Sequence, residues 1–274
     1  MQADPFFAFF GWLKIAAVVC SQKFDPMKKI LLLLAALVAV SLPALAQSAP
    51  GGTTAGMTAN FTRLFGANPA FTANVDMKIS IAGGQDMTLT MNFAVLDTKM
   101  RQEIDMTKIK GQSIPPEAIA QMKQMGMDRV INIMRGDLKA IYIVYPGMKS
   151  YAKMSVSKDD ATTLDKSPKI DTTALGKETV DGHACVKNKV VMTTSDGRSQ
   201  EFTVWNATDL KDFPVQIQTA EKSGTLLMRY TNIKFARPDS AQFEPPAGYT
   251  AYDDLQQMMT AAMQKEMGGM KAQP

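Results

Sequence analysis

His183 and Cys185 come closest to a chemical signature in this sequence. They are two positions apart, and His183 is the only histidine in 274 residues. On a strand such a pair shares a face with its side chains parallel, which is a poor geometry for proton transfer between them. Lys187 and Lys189 continue that face and would repel a cation. We therefore expect a solvated structural surface here, with no catalytic residue, no metal site and no cofactor. The chain is predicted not to be an enzyme.

Methionine is the residue type used most unusually, with 21 copies in the chain. Its flexible, polarizable side chain suits surfaces that adapt to varied apolar ligands, and its thioether is a soft ligand for copper(I). Because the methionines alternate along strands and stripe helices, ordinary packing and the lining of an apolar site are also open interpretations. The residues that we predict to line such a site are Met77, Met91, Phe93, Met122, Met125, Met258, Met259 and Met263.

Residues 27–46 have the layout of a secretory signal peptide. Two lysines follow Met27, an apolar run extends from Ile30 to Val40, and Ala44-Leu45-Ala46 has the small residues that signal peptidase recognises. The apolar run is too short to cross a membrane, which takes about 20 residues. We expect cleavage near Ala46 and a mature protein that is periplasmic or secreted, with no membrane span.

The charge of the predicted mature chain is close to zero. The whole sequence has 30 basic and 26 acidic residues, and the first 46 residues hold four of the lysines and two of the aspartates. Near-neutral charge gives no reason to expect nucleic acid or an anionic membrane surface as a partner. Cleavage also removes Cys20 and leaves Cys185 as the one cysteine, so the fold depends on packing rather than on an internal disulfide.

Period-two alternation of apolar and polar residues begins near residue 70. It extends over Phe71–Ile81, turns at Gly83-Gly84 and resumes over Met87–Val95, which predicts a hairpin of half-buried strands. Proline and glycine bound a helix over 116–125, and a 3.6-residue apolar stripe predicts another over 252–267. With about ten strands in all, the sequence predicts a mainly β fold. The architecture that we expect is a curved antiparallel half-barrel with one or two short helices covering its concave face.

These features divide the chain into five parts. We interpret them as an upstream extension from a misassigned translation start, a signal peptide, a polar lead, a β half-barrel and an amphipathic C-terminal helix with its tail. In that order they span residues 1–26, 27–46, 47–69, 70–250 and 251–274.

The last third of the sequence resembles a known superfamily. The segments GKETVDGHACVKNKVVM, SDGRSQEFTVWNA, FPVQIQ, YTNIKF and FEPPAGY follow one another there. Together they resemble the bacterial outer-membrane lipoprotein carrier and localisation superfamily, and within it an uncharacterised exported branch with a domain of unknown function. The resemblance covers roughly residues 70–250. It implies an unclosed half-barrel whose concave face holds acyl chains beneath helices.

One feature of those carriers is not matched. Characterised members use an arginine inside the cavity, whereas Arg101, Arg135, Arg198 and Arg229 all lie in or beside predicted strands here. The handling of lipoproteins therefore does not follow from the resemblance alone.

The sequence as a whole predicts a carrier or binding protein for an acyl chain or another apolar ligand, in lipoprotein or envelope-lipid handling. An envelope protein is a further candidate partner, and the oligomeric state is not predicted. Two alternatives remain: an envelope scaffold or stress protein with a filled core and no ligand, and a methionine-rich copper(I)-binding protein.

Overall fold

The computed structural model describes residues 61–81, 86–111, 114–155, 168–195, 197, 199–221 and 224–270. The predicted extension, signal peptide and most of the lead lie outside these residues. The described chain forms twelve strands and two α-helices. The strands are β1 (Ala70–Ile81), β2 (Met87–Leu96), β3 (Lys99–Asp105), β4 (Arg129–Arg135), β5 (Ala140–Tyr145), β6 (Ser150–Ser155), β7 (Lys169–Val180), β8 (His183–Thr193), β9 (Ser199–Ala207), β10 (Phe213–Glu221), β11 (Gly224–Lys234) and β12 (Thr250–Tyr252). The helices are α1 (Pro116–Gln124) and α2 (Leu255–Met270).

All twelve strands belong to one open sheet, in the order β12-β6-β5-β4-β3-β2-β1-β11-β10-β9-β8-β7. Every neighbouring pair is antiparallel except β12 with β6, which is parallel. The pairing of β1 with β11 joins the first half of the chain to the second. The predicted mainly β half-barrel is thus confirmed. The predicted number of about ten strands was low, because a three-residue strand such as β12 is too short to show an alternation in the sequence.

The two faces of β1 and β2 follow the alternation in the sequence. We call the face that carries Phe71, Val75 and Met77 the inner face, since these three side chains belong to the main hydrophobic core. The opposite, outer face is polar along most of these strands, until Ala94 and Leu96 at the end of β2. On this outer face Thr90 donates a hydrogen bond of 2.6 Å to Asp76 of the neighbouring strand. An antiparallel sheet commonly packs one face on the core and exposes the other face to solvent.

Strands β4 and β5 depart from this pattern because both of their faces are apolar. Ile131 and Ile133 of β4 lie in a second, outer core together with Tyr142 and Val144 of β5. A nearly continuous apolar run is typical of a strand that is buried on both faces. The half-burial that the alternation predicts for the first hairpin therefore does not extend to these strands, and a cover for their outer face has to come from elsewhere in the chain.

That cover is the segment between β11 and β12, residues 235–249, which we call the strap. It begins with Phe235, which packs edge-on against Phe213 with ring centroids 5.6 Å apart. It then crosses the outer face, where Phe243 is fully buried in the outer core. At its end the amide of Thr250 donates to the carbonyl of Lys149, and β12 pairs with β6 at the edge of the sheet. The chain therefore passes from the outer face to the sheet edge just before α2.

An ion-pair group anchors the strap to the sheet. The guanidinium of Arg135, which is largely buried, donates two hydrogen bonds to Asp137, at 2.8 and 2.7 Å, and pairs with Glu244 of the strap. Hydrogen bonding from Arg135 lowers the pKa of Asp137, and the same two carboxylates raise the pKa of Arg135. The group therefore stays charged at neutral pH and joins β4 to the strap.

Helix α1 is positioned by a close backbone contact at its C-terminal end. Gly126 has φ +68°, and a Cβ built on it would lie 2.4 Å from the carbonyl carbon of Gly147. Only glycine allows both the left-handed conformation and this approach. The contact holds the end of α1 against the turn between β5 and β6 and directs Met122 into the inner core.

We predict that Arg135→Met loosens the strap. Removal of a largely buried guanidinium takes from Asp137 and Glu244 the arginine that they share, but Asp137 keeps Lys99 at 4.0 Å. Both carboxylates are also partly exposed and can be hydrated. We therefore expect the free energy of unfolding to fall by about 1–2 kcal/mol, between the values for exposed and for buried pairs. Urea unfolding of the chain from residue 47 onward measures it.

The matched control is Arg237→Met, which also removes an arginine that pairs with an aspartate across the strap. The Arg237–Asp97 pair is solvent-exposed on both sides, so we expect no measurable change in the unfolding midpoint. Equal decreases in the free energy of unfolding of the two variants would show that the burial of Arg135 does not contribute to the attachment of the strap.

Candidate functional site

The inner face of the first six strands carries no charged side chain. Its positions alternate along β1–β6 and are occupied by aliphatic, aromatic, methionine and small or amide residues. They are Phe71, Ala73, Val75, Met77, Ile79, Met87, Leu89, Met91, Phe93, Val95, Met100, Gln102, Ile104, Val130, Asn132, Met134, Ile141, Ile143, Tyr145, Ser150, Ala152 and Met154. A surface of this composition favours apolar contacts and gives a buried ionic group no counter-charge.

The structure brings seven of the eight predicted lining residues to this inner core. Met77, Met91 and Phe93 point inward from β1 and β2. Met122 of α1 and Met258 of α2 are buried in the same core, and Met125 and Met259 are partly buried against it. Met263 is the exception, because 38% of it is exposed on α2. Whether any of these residues contacts a ligand stays a prediction.

One part of the inner face is filled by an aromatic cluster, made of Phe61, Phe65, Phe71, Phe93, Phe213 and Tyr230. Phe65 is at its centre and comes from the 3-10 helix Thr62–Phe65, which precedes β1. Its ring centroid lies 4.8 Å from that of Phe71 and 5.5 Å from those of Phe213 and Tyr230. Burial raises the pKa of the Tyr230 hydroxyl, which stays neutral. Rings in such contact leave little room for a ligand.

The other part is lined by methionines, and we call it the methionine layer. Met100 and Met134 are cross-strand neighbours on β3 and β4. Met122 of α1, Met154 of β6, and Met258 and Met259 of α2 complete the layer. Methionine side chains can rearrange at low cost, so this part of the face can change shape where the aromatic cluster cannot.

Helix α2 packs on β6 and β12 at one edge of the methionine layer and is held by few contacts. Asp254 caps it by accepting a 2.7 Å hydrogen bond from the amide of Gln257. Met258 is its one fully buried side chain among residues 255–264, and Leu255 and Met259 are partly buried. Full burial of one methionine stabilises by about 1.5–3 kcal/mol. The cover is therefore attached weakly compared with the strands beneath it.

Two amide side chains interrupt the methionine layer, and the sequence analysis did not single them out. Gln102 and Asn132 face each other across β3 and β4. The alternations Met100-x-Gln102-x-Ile104 and Val130-x-Asn132-x-Met134 each have an amide where an apolar residue is expected, and that signal could have identified them. The Nδ2 atom of Asn132 is buried and has no hydrogen-bond partner.

The histidine and cysteine form no reactive pair. Cys185 is only 2% exposed, and its thiol donates to the backbone carbonyl of His183 at 3.3 Å rather than to the imidazole. Burial raises the thiol pKa. The Nδ1 atom of His183 lies 2.7 Å from a carboxylate oxygen of Asp209, and this hydrogen bond lowers the carboxyl pKa. The expectation of a solvated face was wrong for Cys185, since its side chain is buried in the main hydrophobic core.

Three of the four arginines considered in the sequence analysis lie on the outer face. Arg101 and Arg135 share the outer side of their strands with the outer core, and Arg229 pairs there with Gln216 and Asp181. Arg198 lies outside the described residues. None of these three arginines therefore reaches the inner face.

Other kinds of site have little support in the described chain. Among its residues no group of three or more His, Cys, Asp or Glu side chains could hold a metal ion. A depression of about 330 Å³ lies on the exposed side of α2, but its lining residues Gln256, Gln257, Thr260 and Gln264 are polar or small, as are Asp254 and Ala261. Of the helices described, none is long and apolar enough to cross a membrane.

Comparison with known families gives one match. The family described as a domain of unknown function, DUF4412, matches residues 71–213, which is more than half of the chain and extends from β1 to the start of β10. No curated protein matches. The matched region contains the inner-face positions of β1–β6. It therefore includes Met100, Met122, Met134 and Met154 of the methionine layer, whereas Met258 and Met259 lie beyond it.

The chain is similar to several solved structures. One is the lipoprotein LppX of Mycobacterium tuberculosis, at 14% identity over 70% of this chain and 96% of that one, with a TM-score of 0.36. A LolA superfamily protein from Nitrosomonas europaea follows at 10% identity, with 70% and 96% covered and a TM-score of 0.35. An outer membrane lipoprotein-sorting protein domain from Vibrio parahaemolyticus has 11% identity, 69% and 94% coverage and a TM-score of 0.35.

These names agree with the resemblance inferred from the motifs of the last third: the similar structures are proteins of the lipoprotein-carrier and lipoprotein-sorting kind. TM-scores below 0.5 carry no argument about what this chain binds. Its function has to be argued from its own residues.

We predict that Cys185 is protected in the folded protein. In the folded chain from residue 47 onward, Cys185 should react with Ellman's reagent about a hundredfold more slowly than in the same chain unfolded in guanidinium chloride. The raised pKa keeps the thiolate fraction small, and burial keeps the reagent away from the sulfur. His183→Ala should leave the native rate unchanged, because the thiol donates to a backbone carbonyl. A native thiol that reacts as fast as free cysteine, or a clear effect of His183→Ala, would contradict this.

Proposed function

The chain belongs to the DUF4412 family, a domain of unknown function, and we propose that it is an exported, non-enzymatic carrier or binding protein for an acyl chain or a similar apolar ligand. Export with cleavage near Ala46 is part of this proposal, as is a role in the bacterial envelope. The observation that carries it is an uncharged, methionine-lined face beneath a helix that is held mainly by Met258.

The energetics of this arrangement suit reversible binding. Displacing Met258 costs about 1.5–3 kcal/mol of lost burial, and each methylene buried in its place returns about 0.8 kcal/mol. About four methylenes therefore offset the opening of α2, and a longer acyl chain gives a net gain. Methionines beneath the helix can rearrange around chains of different shape.

The sheet provides a rigid support for such a movable cover. β6 is paired on both sides, and the strap holds the outer face through Phe243 and the Arg135 group. Because β12 ends at Tyr252 and α2 begins at Leu255, two residues separate the anchored strand from the helix. Movement of α2 about this short connection would leave the sheet pairing intact.

A specific observation favours the alternative of a ligand-free scaffold. Phe65 and its aromatic neighbours fill their part of the inner face. If the methionine layer were filled in the same permanent way, the protein would have a complete core and its function would lie in its surface. The two proposals differ in whether an apolar probe can enter.

The test uses N-phenyl-1-naphthylamine, a neutral probe whose fluorescence rises in apolar surroundings. We expect it to bind the chain from residue 47 onward and to be displaced by twelve-carbon acyl compounds. Met258→Asp should raise its association rate about tenfold or more, because the helix no longer closes over the layer. Stopped-flow fluorescence measures this rate.

Met263→Asp is the matched control, since it puts the same charge on an exposed position of the same helix and should leave the rate within about twofold. Trp205 emission, on the outer face of β9, checks that each variant is folded. Failure of the wild-type chain to bind the probe, or of acyl compounds to displace it, would refute the carrier proposal and support the scaffold. Equal effects of the two substitutions would show that α2 is not the cover.

A further inference from the structure

Asn132 has an unusual position for an amide. It lies in the middle of β4, between Val130 and Met134, which both belong to the inner core, and its cross-strand neighbours are Gln102 and Ile143. Alternate residues of a strand point to opposite faces, and Ile131 and Ile133 lie in the outer core. Asn132 therefore points into the methionine layer.

Among the side-chain nitrogen and oxygen atoms of the described residues, the Nδ2 atom of Asn132 is the one that is buried without a hydrogen-bond partner. The amide of Gln102, although adjacent, does not accept from it. A buried N–H without a partner costs about 1–3 kcal/mol, and native proteins contain few such groups. A leucine or valine at this position would avoid the cost. Asn132 as a whole is only partly buried, so a group that enters beside it can reach this N–H.

Another inner-face asparagine shows the usual arrangement. Asn188 of β8 donates to Oδ1 of Asn206 at 2.9 Å and to the carbonyl of Val186. The same residue type on the same sheet thus has its donors satisfied within the protein. Asn132 differs in the absence of a protein acceptor for its amide nitrogen.

The chemistry of the missing partner follows from its surroundings. An N–H group requires an acceptor, which excludes an ammonium group. A carboxylate would be an acceptor, but the inner positions of β1–β6 offer no cation to balance its charge, and a buried unpaired charge is costly. An uncharged carbonyl oxygen, as in an ester or an amide, accepts the hydrogen bond without that cost.

We propose that the Nδ2 group of Asn132 donates a hydrogen bond to the carbonyl oxygen of the bound ligand, and that the ligand is therefore an uncharged acyl ester or amide rather than a free fatty acid. This inference rests on the proposed function and specifies its ligand. Asn132 sets the position of the carbonyl along the methionine layer, and the alkyl chain lies against the methionines.

The test compares 1-lauroylglycerol with laurate as competitors of N-phenyl-1-naphthylamine. Both compounds have the same acyl length, and the wild-type protein should bind 1-lauroylglycerol about tenfold more tightly than laurate. The ester gains one buried hydrogen bond, whereas laurate buries a carboxylate that has no partner. Asn132→Leu should reduce affinity for the ester about five- to tenfold while probe binding persists. Asn132→Val repeats the measurement with a side chain suited to a strand, should leucine not fit.

Stability supplies a second readout. Asn132→Leu removes an unpartnered amide, so its melting temperature should equal or exceed that of the wild type. Asn188→Leu is the control and should lower it, because Oδ1 of Asn206 loses the hydrogen bond that Asn188 donates. A melting temperature lowered equally by both would show that Asn132 is already satisfied in the free chain, and would overturn the inference.

The outcomes separate the two proposals. If neither acyl compound displaces the probe, the carrier proposal fails. If both compounds displace it but the ratio of their affinities is the same in wild type and Asn132→Leu, the carrier proposal stands and the role of Asn132 is refuted. Tighter binding of laurate than of the ester by the wild type would also refute the ester assignment.

Discussion

The path of the C-terminal chain around the β6 edge is the constraint on which the rest of the structure depends. Strands β4 and β5 are apolar on both faces, so an uncovered sheet would expose one of them. The strap covers the outer face, β12 extends the edge, and α2 packs on β6 and β12 and adds Met258 to the inner core. One continuous segment thus contributes buried side chains to both faces of the sheet, and the Arg135 group joins this segment to the sheet.

This arrangement gives the two parts of the inner face different properties. The aromatic cluster is closed by Phe65, whose ring contacts aromatic side chains of β1, β2, β10 and β11. The methionine layer is bordered by α2, in which Met258 is the one fully buried side chain among residues 255–264. One part can therefore stabilise the fold while the other is exchanged for a ligand. A carrier needs this combination, because the binding face has to open without unfolding the sheet.

Local patterns predicted most of the elements. The alternation of Phe71–Ile81 and the turn after it gave β1 and β2, and proline and glycine bounded α1 close to its observed limits. Predictions that depend on distant contacts were less successful. Residues 235–249 carry no repeating pattern, so their course over the outer face could not be inferred. The burial of Cys185 depends on Ala207 of β9, and the contact of His183 with Asp209 joins residues that are 26 positions apart.

The site shows the same division between local and distant information. Alternation placed Met77, Met91 and Phe93 on the inner face, and the helical stripe identified Met258 as a buried residue. It could not separate Met258 from Met263, because the position of α2 on the sheet decides which methionine is covered. Asn132 is visible in the sequence as an amide within an apolar alternation, but its missing partner is a property of the packed structure.

Native mass spectrometry of the exported protein, purified without detergent, tests most directly the claim that the inner face holds an acyl ligand. We predict a population with a mass above that of the polypeptide, from which gentle activation releases an uncharged acyl ester or amide. A spectrum with the polypeptide mass alone, from protein shown to be folded, would contradict it and leave the sheet as a closed scaffold.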